Sequence, residues 1–173
     1  MRRLVPAPAS LSHPEFAARY GVVWEHSLWI AERAFRAGLG PETETPEGLA
    51  AAMGRVVDAA EREEQLALLR AHPDLAGRLA LAGELTEASK AEQAGAGLDR
   101  CSPEELAEFT ALNDRYVRKF GFPFIVAVKG LTRAEILERF RRRVENDPET
   151  EFAEALAQVK RIARLRLEAL ADR

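Results

Sequence analysis

Residues 149–171 read ETEFAEALAQVKRIARLRLEALA, and this stretch decides the class of fold. At 100° per residue Phe152, Leu156, Val159, Ala163 and Leu170 form one apolar stripe, flanked by Ile162 and Leu167. Lys160, Arg161 and Arg164 project to the opposite side. The spacing predicts a helix from about Glu149 to Ala171, begun after the break at Asp147-Pro148. One residue violates the pattern. Arg166 falls inside the apolar stripe, and burying a guanidinium without a partner costs several kcal/mol, so an anion should meet it. A core carboxylate would make a structural ion pair. A ligand carboxylate would use the planar fork for bidentate recognition. Spacing alone leaves both open.

Helix signals recur upstream, and strand signals barely appear. Ser12-His13-Pro14 can start a helix, and an apolar-periodic segment follows to about Ala37, where Gly38 and Gly40 stop it. Thr45-Pro46-Glu47 opens a second helix through Ala60, and Glu61 to Ala71 reads as a third. A short piece runs from Asp74 to Ala82, and Thr86 is an N-cap for a helix to about Ala94. Ser102-Pro103-Glu104-Glu105 and Thr132-Arg133-Ala134-Glu135 both have capping-box spacing. Between them lies the stretch from Phe120 to Gly130, dense in aromatic and β-branched residues. The expected architecture is all-α: a single compact domain over residues 1–173, about eight helices, and not a simple four-helix bundle.

Composition fits that reading and excludes several functions. A chain of 173 residues hides roughly 70% of its unfolded surface, enough for a core without staples. A net charge of −3 gives no basic footprint, so nucleic acid is not an expected partner. Cys101 is alone and can form neither an internal disulfide nor a thiolate cluster. The three histidines have no metal-ligand spacing, so no metal is proposed. No apolar run reaches the ~20 residues of a membrane span, and the N-terminus lacks a secretory apolar stretch. The expected compartment is the cytoplasm.

Four further features could carry chemistry. His72 precedes Pro73, which pushes it out of helical geometry; it can point into a cleft and titrate near neutrality, or merely cap a helix. Ser89, Glu92 and Gln93 share a helical face, as a polar wall for a ligand or as a solvated surface. Gly95 and Gly97 allow close approach nearby. Phe122 to Val128 reads as buried core, yet a non-helical segment must still satisfy its N–H and C=O groups, and a small flat polar ligand could be one partner. Glu25-His26-Ser27 and Trp29 are expected on the first helix, with His26 packed in the core and His13 at the helix start.

Together these pieces resemble the 2-oxo-4-hydroxy-4-carboxy-5-ureidoimidazoline (OHCU) decarboxylases of urate degradation. The resemblance rests on Glu25-His26-Ser27-Leu28-Trp29, His72-Pro73-Asp74-Leu75-Ala76-Gly77, Gly83-Glu84-Leu85-Thr86 and Ser89 through Glu92-Gln93. It continues in Ala96-Gly97-Leu98, Phe120-Gly121-Phe122-Pro123-Phe124 and Ile162-Ala163-Arg164-Leu165-Arg166-Leu167, nearly end to end. Leu28 departs from the proline often found there. The resemblance implies a helical, cofactor-free enzyme, commonly a homodimer, acting after urate oxidase and hydroxyisourate hydrolase on a small ureidoimidazoline acid to give (S)-allantoin. It implies His72 as the catalytic acid with Glu92 beside it. Pro73, Ser89, Gln93, the backbone of Phe124, Ile125, Val126, Ala127 and Val128, and Arg166 would hold the substrate. Two other readings stand beside it: a decarboxylase of a related ureido acid, and a non-catalytic helical interaction module in which an internal carboxylate consumes Arg166.

Overall fold

The computed structural model describes residues 2–77, 80 and 83–171. Among them are eight α-helices and no strand, so the all-α expectation holds. They are α1 (His13–Tyr20), α2 (Trp29–Ala37), α3 (Pro46–Ala59), α4 (Arg62–Arg70), α5 (Glu87–Gly95), α6 (Pro103–Phe120), α7 (Arg133–Arg143) and α8 (Pro148–Ala171). The chain divides into two compact units, residues 1–71 with 160–173 and residues 72–159. The short piece expected at Asp74 to Ala82 lies partly outside the described residues.

In the first unit α1 packs on α2 and α2 on α3, around Phe16, Tyr20, Trp24, Ile30, Leu49 and Met53. The Trp24 indole N–H reaches the Met53 sulfur at 3.2 Å. His13, in the first turn of α1, stacks on Phe35 with centroids 5.0 Å apart. The C-terminal half of α8 is tied to α3 by Lys160–Asp58 at 2.7 Å and Arg164–Glu47 at 3.4 Å. Such exposed pairs contribute only fractions of a kcal/mol.

The long first helix expected to about Ala37 is broken. α1 stops at Tyr20, Gly21–Val23 form a 3₁₀ turn, and His26 takes a left-handed φ of 47° before α2 begins at Trp29. The reason is burial. Val23, Trp24 and Glu25 are each no more than 3% exposed, and three consecutive helical positions spread over 200° cannot all face one core. Gly21 permits the fold-back: a Cβ there would stand 2.7 Å from Leu28 Cδ2. Glu25, Ser27 and the exposed His26 therefore sit in a break and not on a helix, and His26 is not a core histidine.

In the second unit both expected capping boxes are present, at Ser102 and Thr132, and Thr86 caps α5 by accepting the Ser89 N–H at 3.2 Å. Phe109, Tyr116, Phe124 and Phe140 form an aromatic centre, with Phe124 and Phe140 stacked at 4.0 Å. Beside it Glu151 is fully buried. Its carboxylate accepts from Arg143 Nε at 3.1 and 3.2 Å, from Arg143 Nη2 at 3.0 Å, from Asn146 Nδ2 at 3.0 Å, and from the Tyr116 hydroxyl. Burial, then the Glu151 hydrogen bond, push the Tyr116 phenol well above its ordinary range, so it stays a donor.

Candidate active site

His72 opens the second unit and is buried, 8% exposed. Pro73 turns it out of helical geometry. The loop that follows is tightly wound: Ala76 has a left-handed φ of 48°, and a Cβ on Gly77 would lie 2.4 Å from Asp74 Cβ. Side-chain hydrogen bonds from two helices hold it. Gln93 Oε1 accepts the Ala76 N–H at 3.0 Å, Gln93 Nε2 donates to the Asp74 carbonyl at 3.3 Å, and Asn113 Nδ2 donates to the Leu75 carbonyl at 3.1 Å.

Helix α5 thus turns a polar face inward. Ser89 and Gln93 are buried, which removes the solvated-surface alternative for both, while Glu92 lies half-buried at the edge of that face. Gln93 also does something its spacing does not announce, binding two backbone groups of the His72 loop. Asn113 was invisible as a site residue: it sits in the middle of α6, with no local motif. A cavity of about 340 Å³ adjoins this region, lined by Ala76, Gln93, Leu85, Leu98, Cys101 and Leu106 among others; His72 and Glu92 are not among its lining residues. Burial pushes the Cys101 thiol up, and its sulfur contacts the Leu98 carbonyl at 3.3 Å, so it offers no ready thiolate.

The segment from Phe122 to Val128 is buried throughout and forms no helix or strand, after Gly121 ends α6 with a φ of 79°. Its Phe124 ring belongs to the aromatic centre, as a core reading requires. Its backbone is met by side chains: Arg143 Nη1 donates to the Ile125 carbonyl at 2.6 Å, and Gln158 Oε1 accepts the Ala127 N–H at 2.9 Å. The Val128 carbonyl accepts the Leu131 N–H at 3.0 Å.

Arg166 belongs to the first unit and is 9% exposed. The anion demanded by its place in the apolar stripe is Glu25, whose Oε1 accepts from Nη2 at 3.1 Å, while Nη1 donates to the Val23 carbonyl at 3.2 Å. The helix break carries both acceptors. Among the described residues no cluster of three His, Cys, Asp or Glu could hold a metal ion, and no helix is long and apolar enough to cross a membrane.

Residues 9–168 match the family model described as OHCU decarboxylase. The chain is 45% identical over 157 residues to a 2-oxo-4-hydroxy-4-carboxy-5-ureidoimidazoline decarboxylase of Haloferax volcanii, covering 91% of this chain and 89% of that protein. It is 44% identical to the uric acid degradation bifunctional protein PucL of Bacillus subtilis, over 85% of this chain and 28% of that longer protein. A crystal structure of OHCU decarboxylase in the presence of (S)-allantoin superimposes with a TM-score of 0.70 at 25% identity, covering 89% of this chain and 97% of that one.

Proposed function

The chain belongs to the OHCU decarboxylase family, and on that premise we propose that it converts 2-oxo-4-hydroxy-4-carboxy-5-ureidoimidazoline to (S)-allantoin in urate degradation. The observation that carries the reading is the family match over residues 9–168, which spans both units and supports their acting as one functional domain. The reading includes a homodimer in the cytoplasm, working without a cofactor.

The chemistry explains why so small a polar set suffices. Loss of CO2 leaves the electron pair of the broken C–C bond on the ring carbon, and the adjacent imine accepts it, its nitrogen taking a proton. The resulting enol collapses to a carbonyl as the ureido-bearing carbon takes up a proton. The face of that last protonation fixes the configuration of allantoin. The protein must therefore hold the ring and deliver protons from one side. His72 is assigned as the acid and Glu92 as its partner in proton handling. Burial of His72 and the Gln93 and Asn113 bonds that fix its loop support the assignment, because a proton donor must be held in place to choose a face. Pro73, Ser89, Gln93 and the backbone of residues 124–128 are assigned to holding the substrate.

Arg166 is assigned to orienting it. Too strong a grip on the departing carboxylate would stabilise the ground state and gain no rate, so its value lies in alignment. The Arg166–Glu25 pair also favours a purely structural role, and the two separate kinetically. Arg166→Ala should raise KM or lower kcat by more than its loss of folded protein explains. With kinetics unchanged and only the melting temperature lowered, the ion pair is structural and nothing more.

The test of the function is a coupled assay starting from urate, with urate oxidase and hydroxyisourate hydrolase generating the unstable substrate in place. Added protein should speed its disappearance and yield an (S)-allantoin circular dichroism signal. Unchanged decay to racemic product would remove the decarboxylase reading.

A further inference from the structure

We infer that Gln158 is a positioning residue for the substrate, acting through the backbone of Val126. The inference rests on the proposed role of residues 124–128. Gln158 lies on α8, where its Oε1 accepts the Ala127 N–H at 2.9 Å and its Nε2 donates to Glu154 Oε1, one turn earlier, at 2.9 Å. A donor on one side and a carboxylate on the other leave the amide a single orientation. Arg143 makes the companion contact, from Nη1 to the Ile125 carbonyl at 2.6 Å, with its own orientation set by Glu151.

These two contacts flank Val126, and planarity transmits them. The Ile125 carbonyl and the Val126 N–H share one trans peptide plane and point in opposite directions; so do the Val126 carbonyl and the Ala127 N–H. Holding the Ile125 carbonyl therefore aims the Val126 N–H away from Arg143. Holding the Ala127 N–H aims the Val126 carbonyl away from Gln158. Among the described residues neither of these Val126 groups has a hydrogen-bond partner, although the residue is only 4% exposed. Buried backbone groups in proteins are almost always satisfied, so this pair is suited to a ligand that brings an acceptor and a donor together. A ureido group or a ring amide carries both side by side. Gln158 touches no substrate in this scheme; it fixes the plane that does.

The test compares Gln158→Leu, which removes the acceptor, with the swap Gln158→Glu/Glu154→Gln. The swap keeps an oxygen facing Ala127 and returns the neighbouring amide donor from the other side. In the coupled assay Q158L should lower kcat/KM on the order of tenfold, chiefly through KM, beyond the loss of folded protein set by a melting temperature that falls by roughly a few degrees as the Ala127 N–H loses its acceptor. The swap should recover activity to within about twofold of wild type. Activity of Q158L within about twofold of wild type overturns the inference while the decarboxylase reading stands. So does a folded swap that fails to recover. A wild-type protein without decarboxylase activity removes the reading and the inference together.

Discussion

His72→Ala and His72→Asn should each lower kcat by roughly 10²- to 10⁴-fold, the usual contribution of a positioned acid or base. The asparagine variant is the more telling, since it keeps a polar side chain of similar reach and lacks only the titrating ring. Its fold should survive, because Gln93 and Asn113 still hold the loop through the backbone of residues 74–76. The substrate decays unaided, so the variants have to be followed by product configuration as well as by rate. Loss of the acid should return the product toward the racemate. Full rate with an intact (S) signal in either variant would mean that His72 is not the proton donor, and attention would pass to Glu92.

The second large effect is on stability. Glu151→Ala would leave Arg143 buried without its counter-charge and strip the Tyr116 hydroxyl and Asn146 of their acceptor. Breaking one side of a buried ion pair costs about 3–5 kcal/mol. Against a total of about 5–15 kcal/mol that is a large fraction, and it should lower the melting temperature by ~10 °C or more. The paired replacement Arg143→Met/Glu151→Leu leaves no isolated charge and should cost much less than either single change. A Glu151→Ala shift of only ~2 °C would show that the carboxylate contributes little to folding.

Much of the fold was legible because its signals are local. The Thr45, Thr86, Ser102 and Thr132 caps each act on a backbone N–H three residues away, so spacing alone places the helix starts. The break after Tyr20 was not legible. Residues 13–37 keep a helical pattern of apolar positions, and only the need to bury Val23, Trp24 and Glu25 together reveals the turn. Glu151 was missed for a related reason. It reads as an ordinary acidic residue in a first helical turn, while its partners Arg143 and Tyr116 stand 8 and 35 residues away. Arg166 announced itself as a charge inside an apolar stripe, but nothing in the pattern could name Glu25 as the partner. Gln158, half-buried and outside any local motif, gave no signal at all.

The break between α1 and α2 and the buried guanidinium of Arg166 are one fact seen from two sides. A continuous helix would have carried Glu25 and the Val23 carbonyl elsewhere, and Arg166 would have lost both of these acceptors. The two positions are therefore thermodynamically coupled, and substitutions there should be strongly non-additive. In evolutionary terms the pair is expected to change together: a lineage could exchange both for apolar residues and keep its fold. One that lost only the glutamate would keep a buried guanidinium with one carboxylate fewer to balance it.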